Sequence, residues 1–379
     1  MMEPILPPAR LGVIGGGQLG RMFIQAAARL GYRTLVFSDS ADCPAGQLAD
    51  EVLARPLDDL TSLRDFQSRV RAVAVEFENV SAPALRWLQK SIKVNPGWKA
   101  VWVAQNRLRE KRFLDRLRVP VARWWPLLSE TELETARAEF VGPSILKTAE
   151  QGYDGKGQVR VDEPDRLVPA WERLGRAPCV LEQVVSFVTE VSCVVARAGD
   201  GTAVVYPVFL NDHRSHILDT SICPAPIGPA ATQAVRDNAL LIAESLRVVG
   251  LLTVEFFLKE DGSVIVNELA PRPHNSAHLT IEACVTSQFE QQVRALVGLP
   301  LGSTRLVAPA AMANLLGDLW QNGTPNWNAA LALDPEVQLH LYGKKIALPG
   351  RKMGHLTVVD ADPRNARERV LAARQALIS

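Results

Sequence analysis

Three things are scarce in this sequence of 379 residues, and each scarcity removes a class of function. No apolar stretch approaches the roughly 20 residues of a membrane-spanning helix. Charge of one sign is lacking: 42 Lys and Arg stand against 41 Asp and Glu, so nothing favours nucleic acid or an anionic membrane surface as partner. Cysteine is sparse and dispersed. Cys43, Cys179, Cys193, Cys223 and Cys284 show no metal-ligand or redox spacing and read as reduced thiols of a cytoplasmic protein. The N-terminus has no charged segment leading into an apolar core, so no signal peptide is expected. Repeats and low-complexity tracts are absent too. What is there is an ordinary globular composition, 47% hydrophobic and 22% charged, with length for two or three domains.

Residues 10 to about 100 alternate strand and helix patterns. A short apolar strand at 10–14 leads into a glycine loop, an Ala-rich helix over 21–30, a strand at 34–37 and a buried strand at 72–75. This rhythm predicts an α/β unit with a parallel sheet covered on both faces. Asn95-Pro-Gly-Trp98 punctuates the chain, and one basic helix is expected from about 100 to 117. An α+β pattern follows, with strands near 145–147, 158–161, 179–182, 190–196, 203–209, 252–258 and 264–269, and a helix near 233–248. A helix at 287–296, strands at 337–341 and 354–359 and a helix at 363–377 complete the expectation. Domain boundaries are expected near 105 and 300.

The most informative segment is Thr253–Arg272. Two β-rich runs flank Asp261-Gly262, a strong two-residue hairpin signal. Counting outward from Glu260 facing Ser263 sets Glu255 opposite Glu268. Like charges facing at about 5 Å repel by roughly 3 kcal/mol at an effective dielectric near 20. A cation would reverse the sign, and carboxylates with the Asn267 amide oxygen are hard ligands suited to Mg²⁺. Two solvated glutamates are the plain alternative.

Other constellations are individually moderate. Gly15, Gly16, Gly17, Gln18, Leu19 and Gly20 form G-x-G-x-x-G between a strand and a helix, and Asp39 lies where a dinucleotide enzyme holds a ribose. That permits NAD, another phosphate, or tight packing with no ligand. Lys147 ends a strand before Gly152, Tyr153, Asp154, Gly155, Lys156, Gly157 and Gln158, a loop able to fold over a triphosphate. Glu182 and Glu190 could read an adenine and hold a ribose. Arg272, His274 and Asn275, stiffened by two prolines, could hold a small anion. The basic loop containing Lys344 and Arg351 suits a phosphate. His213-x-x-His216 lacks a third ligand and is not expected to bind a metal.

In this order the motifs are specific. Gly-Gly-Gly-Gln-Leu-Gly-Arg-Met at 15–22, Glu76-Phe-Glu78-Asn79, Gly152-Tyr-Asp-Gly-Lys-Gly157, Asn267-Glu-Leu-Ala-Pro-Arg-Pro-His-Asn-Ser276, Ser287-Gln-Phe-Glu290 and Gly350-Arg-Lys-Met-Gly-His355 resemble the ATP-grasp superfamily, and within it the N5-carboxyaminoimidazole ribonucleotide synthases. The resemblance implies an ATP-grasp fold: a Rossmann-like domain over 1–105, an ATP-grasp domain over 106–300 with a lid at about 120–185, and a small C-terminal domain over 301–379. It implies ATP- and bicarbonate-dependent carboxylation of aminoimidazole ribonucleotide in purine synthesis. ATP would meet Arg107, Lys147, the loop 152–158, Glu182, Gln183, Val184, Val185, Glu190, His213, Asn267 and Glu268. Mg²⁺, with Mn²⁺ as alternative occupant, would fall to Glu255 and Glu268. The ribonucleotide would meet Gly15–Gly20, Glu76, Tyr153, Lys344 and Arg351, and bicarbonate Arg272, His274 and Asn275. A homodimer and functional coupling to a separate mutase are further expectations. Leu210, Ala277 and Leu348 depart from the family pattern, where Glu, Gly and Arg are usual. Leu348 puts one phosphate contact in doubt.

Overall fold

Apolar four-to-six-residue runs separated by helical segments give parallel strands at the N-terminus of the computed structural model, which describes residues 3–57, 59–150 and 157–378. Strands β1 (Arg10–Ile14), β2 (Arg33–Ser38), β3 (Glu51–Ala54), β4 (Ala72–Val75) and β5 (Lys93–Asn95) form a parallel sheet in the order β3-β2-β1-β4-β5. The order reverses between β1 and β4. A crevice opens at the carboxyl ends of strands at such a point, and both Gly15–Gly20 and Glu76 lie there. Leu11, Val36 and Ala72 pack toward helices Gln18–Arg29 and Gln288–Val297, whereas Ile14, Leu35 and Val73 pack on the opposite face.

Strands β6 (Trp124–Leu127), β7 (Ser144–Thr148), β8 (Gln158–Val161) and β9 (Cys179–Gln183) make a separate antiparallel sheet, β6-β9-β7-β8. The main sheet has nine strands. β10 (Thr189–Arg197), β11 (Ala203–Val205), β12 (Phe209–Arg214), β13 (Ile217–Cys223), β14 (Gly250–Leu258), β15 (Val264–Ala270), β16 (Ala310–Leu316), β17 (Gln338–Leu341) and β18 (Lys352–Val359) run β15-β14-β10-β12-β13-β16-β18-β17, with β11 paired to β10. The C-terminal strands therefore extend this sheet. Helix Pro363–Ala376 covers one face of them through Ala366, Val370 and Ala373. Among the described residues no helix is long and apolar enough to cross a membrane.

Two expectations fail locally. The single helix over 100–117 is two, Trp98–Ala104 and Arg107–Arg116. Asn106 breaks it by leaving helical geometry and capping the second helix, its side chain accepting from Arg109 N at 3.0 Å. The strand expected over 203–209 ends at Val205, because Pro207 has no N–H to donate to a ladder, and a new strand starts at Phe209.

Candidate active site

The hairpin β14–β15 does not turn as the sequence count assumed. Lys259 N donates to Ser263 O at 2.9 Å and Gly262 N to Lys259 O at 3.0 Å, closing a three-residue loop with Gly262 at φ 78°. Near the turn the register is thus one residue out, with Phe256 opposite Val266. Continued, it would set Glu255 against Asn267. Instead the ladder shifts, and Val254 pairs with Leu269. One residue, Glu255, faces two, Asn267 and Glu268: a β-bulge. The apposition of the two glutamates is real, but a bulge produces it.

Glu255 is buried and Glu268 opens into the cleft. Burial and the charge of Glu255 both push the Glu268 carboxyl upward, against Arg107 and Lys147, which favour its ionised form. Cleft solvent reaches Glu268, so dehydration counts for less there than the facing charge. Burial also raises Glu255, but His274, His213 and Arg272 outweigh it and hold the carboxylate ionised.

A directed hydrogen-bond chain orients His274. Its Nε2 lies 2.7 Å from Glu255 Oε1. Its Nδ1 accepts from Ser276 N at 3.3 Å and sits 2.8 Å from Ser276 Oγ. Acceptance at Nδ1 assigns the neutral tautomer with the proton on Nε2, and burial likewise keeps the imidazole below its usual range. The chain continues from Ser276 Oγ to Ser192 Oγ at 2.7 Å, then to Asn211 Nδ2 at 2.9 Å, and Ser221 Oγ donates to Asn211 Oδ1 at 2.9 Å. Each member donates toward Glu255. Beside it, one ligand atom each of Glu190, His213 and Glu255 lie within 4.8 Å of one another. His213 Nδ1 is 3.3 Å from Glu190 Oε2, while His216 sits exposed in the β12–β13 turn at φ 65° and joins no such cluster among the described residues.

Arg272 reaches back to the first sheet. Its Nε donates to Glu78 Oε2 at 2.5 Å and its Nη2 to Glu78 Oε1 at 3.0 Å. Burial raises the Glu78 carboxyl, but the guanidinium prevails and keeps it ionised. Both polar atoms of the Asn275 amide are buried without a partner among the described residues.

Lys147 Nζ donates to Glu182 Oε2 at 3.0 Å, and Lys111 Nζ is 3.5 Å from the same oxygen. Burial alone would protonate Glu182, but Lys111 and Lys147 hold it down at about 2. The N–H groups of Gln183 and Val184 are taken by Arg123 O and Pro143 O, each at 2.8 Å. Val185 follows directly. Arg107 donates from Nη1 to Thr148 O at 3.0 Å. Gly157 sits at φ 70° where a Cβ would lie 2.7 Å from Thr148 Oγ1, and Gln158 opens β8. Gly152, Tyr153, Asp154, Gly155 and Lys156 lie outside the described residues.

At the far end of the crevice the glycine loop holds a carboxylate of its own. Gly17 N donates to Glu76 Oε2 at 2.6 Å and Leu19 N to Glu76 Oε1 at 3.0 Å. A Cβ at Gly15 or Gly17 would strike that carboxylate at 2.6 or 2.3 Å. Burial raises Glu76, and the backbone donors and the charge of Lys344 oppose it. Lys344 donates to Lys352 O at 2.7 Å. Lys345 pairs with Asp42, Arg351 is exposed with Nη1 donating to Ile346 O at 2.9 Å, and Leu348 is exposed. Asp39 is exposed as well.

Three family models match successive parts of the chain: a ribonucleotide synthetase preATP-grasp domain over residues 9–105, an ATP-grasp domain over 112–289 and a phosphoribosylaminoimidazole carboxylase C-terminal domain over 310–369. The N5-carboxyaminoimidazole ribonucleotide synthase of Bacillus subtilis strain 168 is 40% identical over 357 residues, 93% of this chain and 92% of that protein. The chain belongs to the N5-carboxyaminoimidazole ribonucleotide synthase family. A crystal structure of such a synthetase with ADP matches at TM-score 0.92 and 38% identity, covering 99% of this chain and 98% of the other. The Aspergillus clavatus synthase with ADP and 5-aminoimidazole ribonucleotide matches at TM-score 0.86 and 29% identity, covering 97% and 98%. This synthase is therefore an ATP-grasp ligase, and the NAD reading of its glycine loop falls away. The loop donors that would meet a pyrophosphate are already on Glu76.

The donor set of the synthase cleft fits a hard divalent cation. Two carboxylates crowd at the bulge, and one is raised by the other's charge, a cost that a cation removes. Sequence reasoning missed Glu78, Glu110 and Lys111 as site residues. Glu78 had a signal in its motif, but its partner Arg272 lies 194 residues away. Glu110 and Lys111 carry no local signal, because charged residues on a helix normally face water.

Proposed function

We propose that this chain carboxylates the exocyclic amine of aminoimidazole ribonucleotide with bicarbonate at the expense of ATP. The observation that carries the reading is the bulge at Asn267–Glu268, which brings two acids together beside His274, Arg272, Lys147 and Arg107. A bicarbonate oxygen attacks the γ-phosphorus, the bond to ADP breaks, and carboxyphosphate forms. Loss of phosphate releases CO₂, the amine adds to its carbon, and a proton leaves the nitrogen.

The residues divide the work. Lys147 and Arg107 neutralise phosphate charge, with Glu182 holding Lys147 in place. Glu190 and His213 serve the nucleotide. Arg272, fixed by Glu78, presents N–H donors to bicarbonate, Asn275 supplies a buried amide, and neutral His274, fixed by its relay, gives its one N–H to Glu255 and so orients that carboxylate. Glu76, Lys344 and Arg351 serve the ribonucleotide. Mg²⁺ or Mn²⁺ on Glu255 and Glu268 would supply charge neutralisation at the phosphates. The loop 152–158 would shield carboxyphosphate from water. Five buried free thiols support a reducing, cytoplasmic setting. A homodimer and a separate mutase that consumes the product belong to the same proposal.

The test is phosphate release with ATP, Mg²⁺, bicarbonate and aminoimidazole ribonucleotide. The expected result is release that depends on both bicarbonate and the ribonucleotide. Release indifferent to both overturns the proposal.

A further inference from the structure

We infer that Glu110 and Lys111, neighbours on helix Arg107–Arg116, are positioning residues that hold the β-bulge carrying Glu268. This rests on the reading of Glu268 as a metal and ATP carboxylate. The two backbone groups flanking Glu268 both end on these side chains. Lys111 Nζ donates to Asn267 O at 3.2 Å, and Leu269 N donates to Glu110 Oε2 at 3.0 Å. Neither side chain faces water: Glu110 is 3% exposed and Lys111 1%. Packing alone does not account for them, since apolar side chains of similar volume fill a buried site without the dehydration cost of polar or charged groups.

The bulge needs holding because a second register is available to the same strand. From Leu258↔Val264 to Phe256↔Val266 the ladder is regular. Continued without a bulge, it sets Asn267 opposite Glu255 and turns Glu268 to the opposite face, since a one-residue slip inverts every side chain beyond it. Gripping the carbonyl before Glu268 and the N–H after it selects the bulged register. Lys111 also reaches Glu182 at 3.5 Å, and Glu182 holds Lys147. One helix thus references the acid of β15 and the lysine of β7 to each other. Burial and the charge of Glu268 push the Glu110 carboxyl up to about 8, although Lys111 opposes them, so glutamine is its close substitute at neutral pH.

The experiment compares Glu110→Ala, Glu110→Gln and Lys111→Met by hydrogen exchange over residues 264–270 in the ligand-free protein and by calorimetric binding of Mg·ADP. For Glu110→Ala and Lys111→Met, exchange at this segment should rise and Mg·ADP affinity fall, each about 10-fold, the loss of one hydrogen bond to a charged or buried group. KM for the ribonucleotide should stay within about twofold, because its site lies at the other end of the crevice. Glu110→Gln keeps an acceptor for Leu269 N and should restore both readouts. If Glu110→Ala does not fold, Lys111→Met decides. A folded variant of either kind with wild-type exchange and wild-type Mg·ADP affinity overturns the inference. Glu268→Gln run in parallel separates the two ideas: unchanged Mg·ADP binding there sinks the metal reading, while the exchange data still judge the clamp.

Discussion

Single residues in this cleft trade stability for chemistry. Burial and the facing charge of Glu255 raise the folded Glu268 carboxyl above its unfolded value. The folded state therefore binds the proton more tightly, and stability from this group is lost as pH rises from the unfolded value near 4.5 through the raised one. Glu268→Gln removes that loss. Thermal melting of the ligand-free variant should exceed wild type at pH 8 and converge with it near pH 4.5, while kcat falls at least about 100-fold, the scale of losing one charge-stabilising group. A variant with wild-type kcat, or one less stable than wild type at pH 8, contradicts this account. At this scale short motifs of hard-ligand and anion-binding side chains offered the two acids, Lys147, Arg272 and His274 as candidates, and the fold brings them near one another. Glu78, Glu110 and Lys111 were not among them, because their meaning lies in partners remote in the chain.

Elements decide where those side chains point. The count from Asp261-Gly262 set Glu255 against Glu268 for a reason that does not hold: the loop is three residues long, and a bulge then restores the pairing. Periodicity cannot announce a bulge, which inserts a residue without changing composition. The break at Asn106 is similar, since the helical pattern runs on through it. The glycine at 157 makes an element-scale prediction. It is left-handed at φ 70°, and a Cβ would overlap Thr148 Oγ1 at 2.7 Å where β7 meets β8. Gly157→Ala should strain this hairpin by about 1–2 kcal/mol and raise KM for ATP several-fold, with KM for the ribonucleotide unchanged. Steady-state kinetics with each substrate varied would show it; a selective rise for the ribonucleotide would place the loop at the other site.

At the scale of the whole molecule, side-chain contacts tie the three sheets together around the candidate site. Arg272, just after β15 of the main sheet, is locked to Glu78, just after β4 of the parallel sheet, and Gln47 Nε2 donates to Gly343 O at 2.7 Å, tying the C-terminal hairpin to the glycine-loop side. The last helix is held by Arg374, whose two Nη atoms grip Asp219 at 2.7 and 3.1 Å. Breaking a mostly buried pair costs about 3 kcal/mol, less here because Arg214 also reaches Asp219. Arg374→Met should thus lower the unfolding free energy in urea by roughly 2 kcal/mol and leave kcat within about twofold, since the pair is remote from the cleft. A kcat loss without a stability loss would contradict that separation.

By itself the sequence determined the family and the parallel and antiparallel units, and it named candidate side chains for the chemistry. These are set by local pattern: strand and helix periodicity, glycine-rich loops between strand and helix, and acidic and basic side chains grouped in short motifs. Only the tertiary structure decided the register at Glu268, the tautomer of His274, and the pairing of Arg272 with Glu78. Each depends on backbone and side-chain groups that meet across long separations, and their energies exist only once the sheets are assembled.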